Sequence, residues 1–116
     1  MNDHLDELLP KVDIIFATAR AGIQVLNEEQ VAAATRLKVA ADLNAVPPAG
    51  IAGISLQDNG VPLKASASGA VGIGPLAIGD IKYKTQQKLL IQMYDAGKPV
   101  YLDFENAFDV AMKKVK

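Results

Sequence analysis

One spacing constrains the fold of this chain more than any other feature. Residues 12–19 (VDIIFATA) and 37–42 (LKVAAD) are both apolar and largely β-branched without strict alternation, the pattern of strands buried on two faces of a parallel sheet. Between them, Asn27 precedes Glu28, Glu29 and Gln30, an N-cap followed by an acidic first turn, with Gln30 closing a capping box and Leu26 placed to staple onto Val31. A helix is therefore predicted over 28–35. Strand, helix and strand at this separation form a right-handed βαβ unit with parallel strands. The loops that follow both strands then open on the same sheet edge, the carboxyl edge where open α/β sheets hold ligands.

The rest of the chain sorts around that unit. Leu5, Leu8 and Leu9 predict a short amphipathic helix over 2–9, stopped by Pro10. Residues 47–79 are dense in Gly, Pro, Ser and Asn; they predict irregular structure, with Asp58-Asn59-Gly60-Val61-Pro62 a plain turn and one short strand near 67–73. From 78 to 96 the pattern turns helical, with Ile78, Ile81, Thr85, Leu89 and Met93 on one stripe and Asp80, Lys84, Gln87 and Lys88 opposite. Gly97-Lys98-Pro99 ends it. A last helix starts at Asp103 as N-cap, after Leu102, and carries Phe104, Phe108, Ala111 and Val115 as a core or interface stripe. Lys113, Lys114 and Lys116 complement its dipole. Residues 1–116 read as a single domain.

Composition removes several classes of function. With 116 residues, 50% of them hydrophobic and 22% charged, the chain has the make-up of one small folded domain. A net charge of −1 provides no field for a row of phosphates, so no nucleic-acid partner is expected. The absence of cysteine excludes disulfides, thiolate metal sites and thiol nucleophiles, and suits a reducing cytoplasm. The one histidine, His4, cannot form a histidine metal cluster or a Ser-His-Asp triad; it reads as a solvated helix residue and no metal is expected. No apolar run is long enough to span a membrane, and the acidic start MNDHLDE is unlike a secretory signal.

Three groups of residues could carry chemistry. The loops 18–22 (Thr18, Ala19, Arg20, Ala21, Gly22) and 42–48 (Asp42, Asn44 and Pro47 among them) come side by side in a βαβ unit, and their small residues admit a flat ligand close to the backbone. Ordinary turns prefer the same residue types, so this pattern alone leaves both readings open. Lys82 falls on the apolar stripe between Ile78, Leu89 and Met93, where it either borders a cleft or snorkels to water. Gly72-Ile73-Gly74-Pro75-Leu76-Ala77 matches G-x-G-x-x-A formally, but residues 64–69 before it do not read as a buried strand, and the segment is predicted to be a flexible connector.

The run from Ala40 to Ile54 resembles the D-x-N-A-x-P-P-x-G-I-x-G-I signature of the NAD(P)-dependent methylene-tetrahydromethanopterin dehydrogenases. Residues 13–19, 42–51 and 69–74 ahead of Lys82 follow in the order seen in the carboxy-terminal part of that family, and the similarity extends from about Leu8 to Val115. The resemblance implies an α/β, partial Rossmann-like fold: the second half of a dinucleotide-binding domain, with a parallel βαβ unit and C-terminal helices. It implies part of an oxidoreductase of one-carbon metabolism, moving hydride from methylene-tetrahydromethanopterin or methylene-tetrahydrofolate to NADP or NAD. Thr18, Ala19, Arg20, Asp42, Asn44 and Pro47 would then border the nicotinamide, and Lys82 would be the catalytic residue beside the pterin. Arg20 departs from the small residue that some relatives carry.

The family's upstream substrate domain and Gly-rich phosphate loop have no counterpart here. The 116-residue chain alone is therefore expected to be inactive and to bind nucleotide weakly. Its implied partners are the missing amino-terminal domain, a tetrahydropterin carrier and, through exposed sheet edges, further copies of itself. The competing reading is a non-enzymatic α/β module that keeps a remnant nucleotide cleft for interaction or regulation.

Overall fold

The computed structural model describes residues 4–115. In chain order the elements are α1 (Leu5–Leu8) with a 3-10 turn (Leu9–Lys11), β1 (Ile14–Ala17), α2 (Glu28–Ala33), β2 (Val39–Asp42), β3 (Asn59–Pro62), β4 (Val71–Ile73), α3 (Pro75–Asp95) and α4 (Phe104–Val115). They divide into two units, Met1–Ala77 and Ile78–Lys116. The first unit holds one four-stranded sheet in the order β1-β2-β4-β3. The fold is α/β, as predicted.

The βαβ unit forms as its spacing requires. β1 and β2 pair in parallel, with Ile14 beside Val39 and Ala17 beside Asp42. Asn27 accepts from the Gln30 N–H at 2.8 Å while the Gln30 side chain accepts from the Asn27 N–H at 3.0 Å, so the capping box fixes the start of α2. Leu9, Leu26, Val31, Leu37, Ile51 and Ile54 share one buried cluster with Ala17 and Ala40 of the strands. Each large aliphatic side chain removed from water there stabilises the fold by about 1.5–3 kcal/mol.

Two expectations about residues 47–79 are corrected. Residues 59–62 are not a plain turn: they form β3, antiparallel to β4, with a register shift between Asn59 and Val61 at Gly60. Gly60 has φ +76° and Pro62 has no N–H to donate, which suits an exposed edge strand carrying a bulge. Residues 72–77 are not a flexible connector either. β4 is an inner strand, parallel to β2, and α3 starts two residues after it, with Pro75 as its first helical residue. β4 itself falls within the short strand expected near 67–73; what the sequence hid is that it is an inner strand running straight into α3, because with three residues, one of them Gly, it has no apolar periodicity to read.

In the second unit, α3 continues to Asp95 and the chain turns at Gly97, as predicted. Asp103 caps α4: its Oδ1 accepts from the Glu105 and Asn106 N–H groups at 3.0 and 3.4 Å, and the Asn106 side chain accepts from the Asp103 N–H at 3.0 Å. Phe104 and Phe108 keep 79% and 64% of their surface exposed, which rules out a core role for that stripe within this chain. Asn2 and Asp3 of the predicted first helix and Lys116 of the terminal lysines lie outside the described residues. His4 is exposed, 3.7 Å from the Glu7 carboxylate. Among the described residues no helix is long and apolar enough to cross a membrane.

Candidate functional site

At the carboxyl end of β2 the chain buries two polar side chains. Asp42 has no exposed surface. Its Oδ1 accepts from the Asn44 N–H at 2.9 Å and its Oδ2 from the Ile51 N–H at 3.1 Å, so the carboxylate joins both ends of the loop it begins. The chain passes so close to it that a Cβ at residue 50 would lie 2.6 Å from Oδ1, and only glycine fits there. Asn44 completes the tie. Its Oδ1 accepts from the Val46 and Gly22 N–H groups at 2.9 and 3.2 Å, and its Nδ2 donates to the Pro48 carbonyl at 2.7 Å.

The Gly22 bond joins the two loops that the sequence placed together. Leu43 N–H also donates to the Ala17 carbonyl at 3.1 Å, and Leu26 and Ile51 form a parallel bridge, with the Gly50 carbonyl accepting from the Val25 and Leu26 N–H groups. Loops 18–22 and 42–48 thus share one rim.

Beside that rim lies an open pocket of about 390 Å³, lined by Asn44, Val46, Pro47 and Ala49 on one side and by Ile54, Ser55, Leu56 and Pro75 on the other. The second side is held by backbone bonds. Gly74 N–H donates to the Asp58 carbonyl at 2.8 Å, Leu76 N–H to the Leu56 carbonyl at 2.9 Å, and the Asp58 carboxylate accepts from the Ser55 N–H at 2.8 Å. A Cβ at residue 74 would fall 2.1 Å from the Ser55 carbonyl oxygen.

The residues nominated from sequence separate into three groups. Asn44 and Pro47 line the pocket, and Asp42 is buried behind it with both carboxylate oxygens engaged. Thr18, Ala19 and Arg20 are exposed on the neighbouring loop and do not line the pocket. Lys82 is exposed on α3, in the second unit. Sequence reasoning missed Ser55 and Leu56, because nothing local marks them as lining a pocket with the end of β2; Ile54 closed the signature run without a role, and Pro75 stood in the G-x-G-x-x-A match that was set aside as a connector. Among the described residues no group of His, Cys, Asp or Glu could hold a metal ion.

Comparison with known proteins places this arrangement. The chain is 44% identical over 101 residues to the NAD(P)-dependent methylenetetrahydromethanopterin dehydrogenase of Methylorubrum extorquens, a match covering 87% of this chain and 33% of that protein. The resemblance read from the D-x-N…G-I run holds. A second protein of that organism, the bifunctional protein MdtA, is 26% identical over 105 residues, 90% of this chain and 35% of its own length. The chain therefore spans about a third of the length of the curated relatives it matches. No family model matches the chain.

Whether these residues suit a nicotinamide dinucleotide has a divided answer. The mostly apolar pocket has the size and lining of a site for a flat ring. A pyrophosphate needs free backbone N–H groups at a glycine turn, and the N–H groups of Gly22, Gly74 and Leu76 are already engaged within the chain. The ring end fits and the phosphate end does not.

Proposed function

We propose that this chain forms the nicotinamide-facing wall of a dehydrogenase that oxidises methylene-tetrahydromethanopterin or methylene-tetrahydrofolate with NAD or NADP. One observation carries the reading: the D-x-N…P-P loop, within the stretch shared with the Methylorubrum dehydrogenase, is locked by Asp42 and Asn44 into one wall of an open, mostly apolar pocket at the carboxyl end of the parallel strand β2. The bound nicotinamide supplies the carbon that receives hydride. The methylene carbon of the pterin gives up hydrogen with its electron pair and becomes a methenyl cation shared by two nitrogens, with no proton to relay. A site that lacks cysteine, metal ligands and a rim histidine is then chemically sufficient, and positioning supplies most of the rate.

In this reading Val46, Pro47, Ala49, Ile54 and Leu56 exclude water from one ring face, while Asp42 and Asn44 hold that wall in place. Thr18, Ala19 and Arg20 border the ring's outer edge, with Arg20 a candidate for cofactor preference. Lys82 contacts the pterin by a hydrogen bond; its ammonium stands off the forming cation, since close approach would oppose it. The phosphate-binding turn comes from the other two thirds of the enzyme. That part, or a second copy of the chain, docks on the open edge of β1, where Ile14 and Phe16 are 54% and 69% exposed. The absence of cysteine suits a cytoplasmic enzyme.

The test is complementation. Fused to the other two thirds of the Methylorubrum relative, the chain is expected to restore NAD(P) reduction that depends on a methylene-tetrahydropterin, whereas the chain alone shows no turnover. Absence of turnover in a folded fusion, together with tight NADP binding by the chain alone, would overturn the proposal in favour of a self-contained binding module.

A further inference from the structure

The pocket's polar groups say which of the two planar partners it takes. Eight residues line it, and three of them, Val46, Pro47 and Ala49, together with Ile54, Leu56 and Pro75, contribute no side-chain hydrogen-bonding group. Asn44 does carry polar atoms, but it is buried, its oxygen already accepts two bonds and one of its two amide N–H groups already donates to Pro48. Ser55 therefore contributes the lining's only hydroxyl. The bonds that shape its turn run through the Ser55 backbone, N–H to Asp58 and carbonyl from the Asp58 N–H, and leave the hydroxyl out.

We infer that this pocket is the nicotinamide subsite and that Ser55 recognises the ring's carboxamide, an assignment that rests on the dehydrogenase reading above. A hydroxyl can donate to the amide oxygen or accept from its NH2 group. One such group matches a pyridine ring with a single polar substituent. A pterin presents several donors and acceptors along one edge, and each one turned onto this apolar lining would lack a partner, at a cost of about 1–3 kcal/mol. The apolar lining therefore favours the nicotinamide ring over the pterin.

The test follows the backbone amide NMR signals of this chain during titration with N-methylnicotinamide, with N-methylpyridinium, which lacks the carboxamide, and with a reduced pterin. N-methylnicotinamide is expected to move the signals of residues 44–46, 49 and 54–56. Ser55→Ala should weaken it by about two- to tenfold, the worth of one hydrogen bond, and leave N-methylpyridinium binding unchanged. Ser55→Thr, which keeps the hydroxyl, should restore most of the difference. Equal weakening of both ring compounds, no weakening of either, or pterin binding at these residues would overturn the assignment while the dehydrogenase reading stands. If no ring compound moves any of these signals, the assignment and the pocket's place in the dehydrogenase reading both fall, and complementation then decides the reading for the chain.

Discussion

The two walls of the pocket face the same space and are built by different means. The wall from Asn44 to Ala49 hangs on buried side chains: four of the bonds that shape it end on Asp42 or Asn44 side-chain oxygens, and a fifth leaves Asn44 Nδ2. The wall from Ser55 to Pro75 is pinned mainly backbone to backbone, at a point where the chain passes so close that residue 74 has no room for a side chain. A wall made of side chains is fixed by which residues are present. A wall made of backbone is fixed by what a residue lacks, so the two should fail differently when substituted.

The largest effect is expected at the backbone wall. Gly74→Ala places a methyl group 2.1 Å from the Ser55 carbonyl oxygen and 2.6 Å from that of Leu56, and neither can rotate away. The backbone must shift, and a loss of about 4 kcal/mol is expected in denaturant unfolding. A midpoint equal to that of the parent chain would show that this wall is not rigid. Asp42→Ala comes next, at about 2–3 kcal/mol, because the Asn44 and Ile51 N–H groups lose their acceptor in a buried place. The comparison sharpens with Gly50→Ala, whose methyl lies 2.6 Å from the Asp42 oxygen. Combined with Asp42→Ala it should cost less than the sum of the two single changes, since the oxygen it strikes is gone. Additive losses would mean that Gly50 serves something other than the carboxylate.

The same difference decided what could be read in advance. Asp42, Asn44 and the paired prolines mark the loop of the side-chain wall, because residues of those types after an apolar segment favour a turn, although they left open whether that turn borders a ligand. The capping box at Asn27 and the cap at Asp103 were legible for the same reason. Gly74 to Ala77 and Asp58 to Pro62 gave the opposite result. Their structure comes from partners far along the chain, Leu56 and Asp58 for the turn into α3 and β4 for the edge strand, and glycine and proline look alike whether they end an element or permit one. The parallel βαβ unit was visible from its own residues; the antiparallel edge was visible only from its neighbour.

The smallest effects belong to the residues that stand outside both walls. Arg20 and Lys82 are exposed, and no hydrogen bond or ion pair ties either to another described residue, so neither is part of what holds the fold together. Arg20→Ala and Lys82→Ala are each expected to leave unfolding free energy within about 0.5 kcal/mol of the parent chain. Their roles can then be measured without a stability correction, which is not true of Asp42 or Gly74. In the complemented enzyme, Lys82→Ala should lower hydride-transfer rate or pterin affinity, and Arg20→Ala should change the ratio of NAD to NADP use. If both variants keep parent stability and parent kinetics, the chemistry lies with the walls and with the other two thirds of the enzyme, and these two cations are only solvated surface.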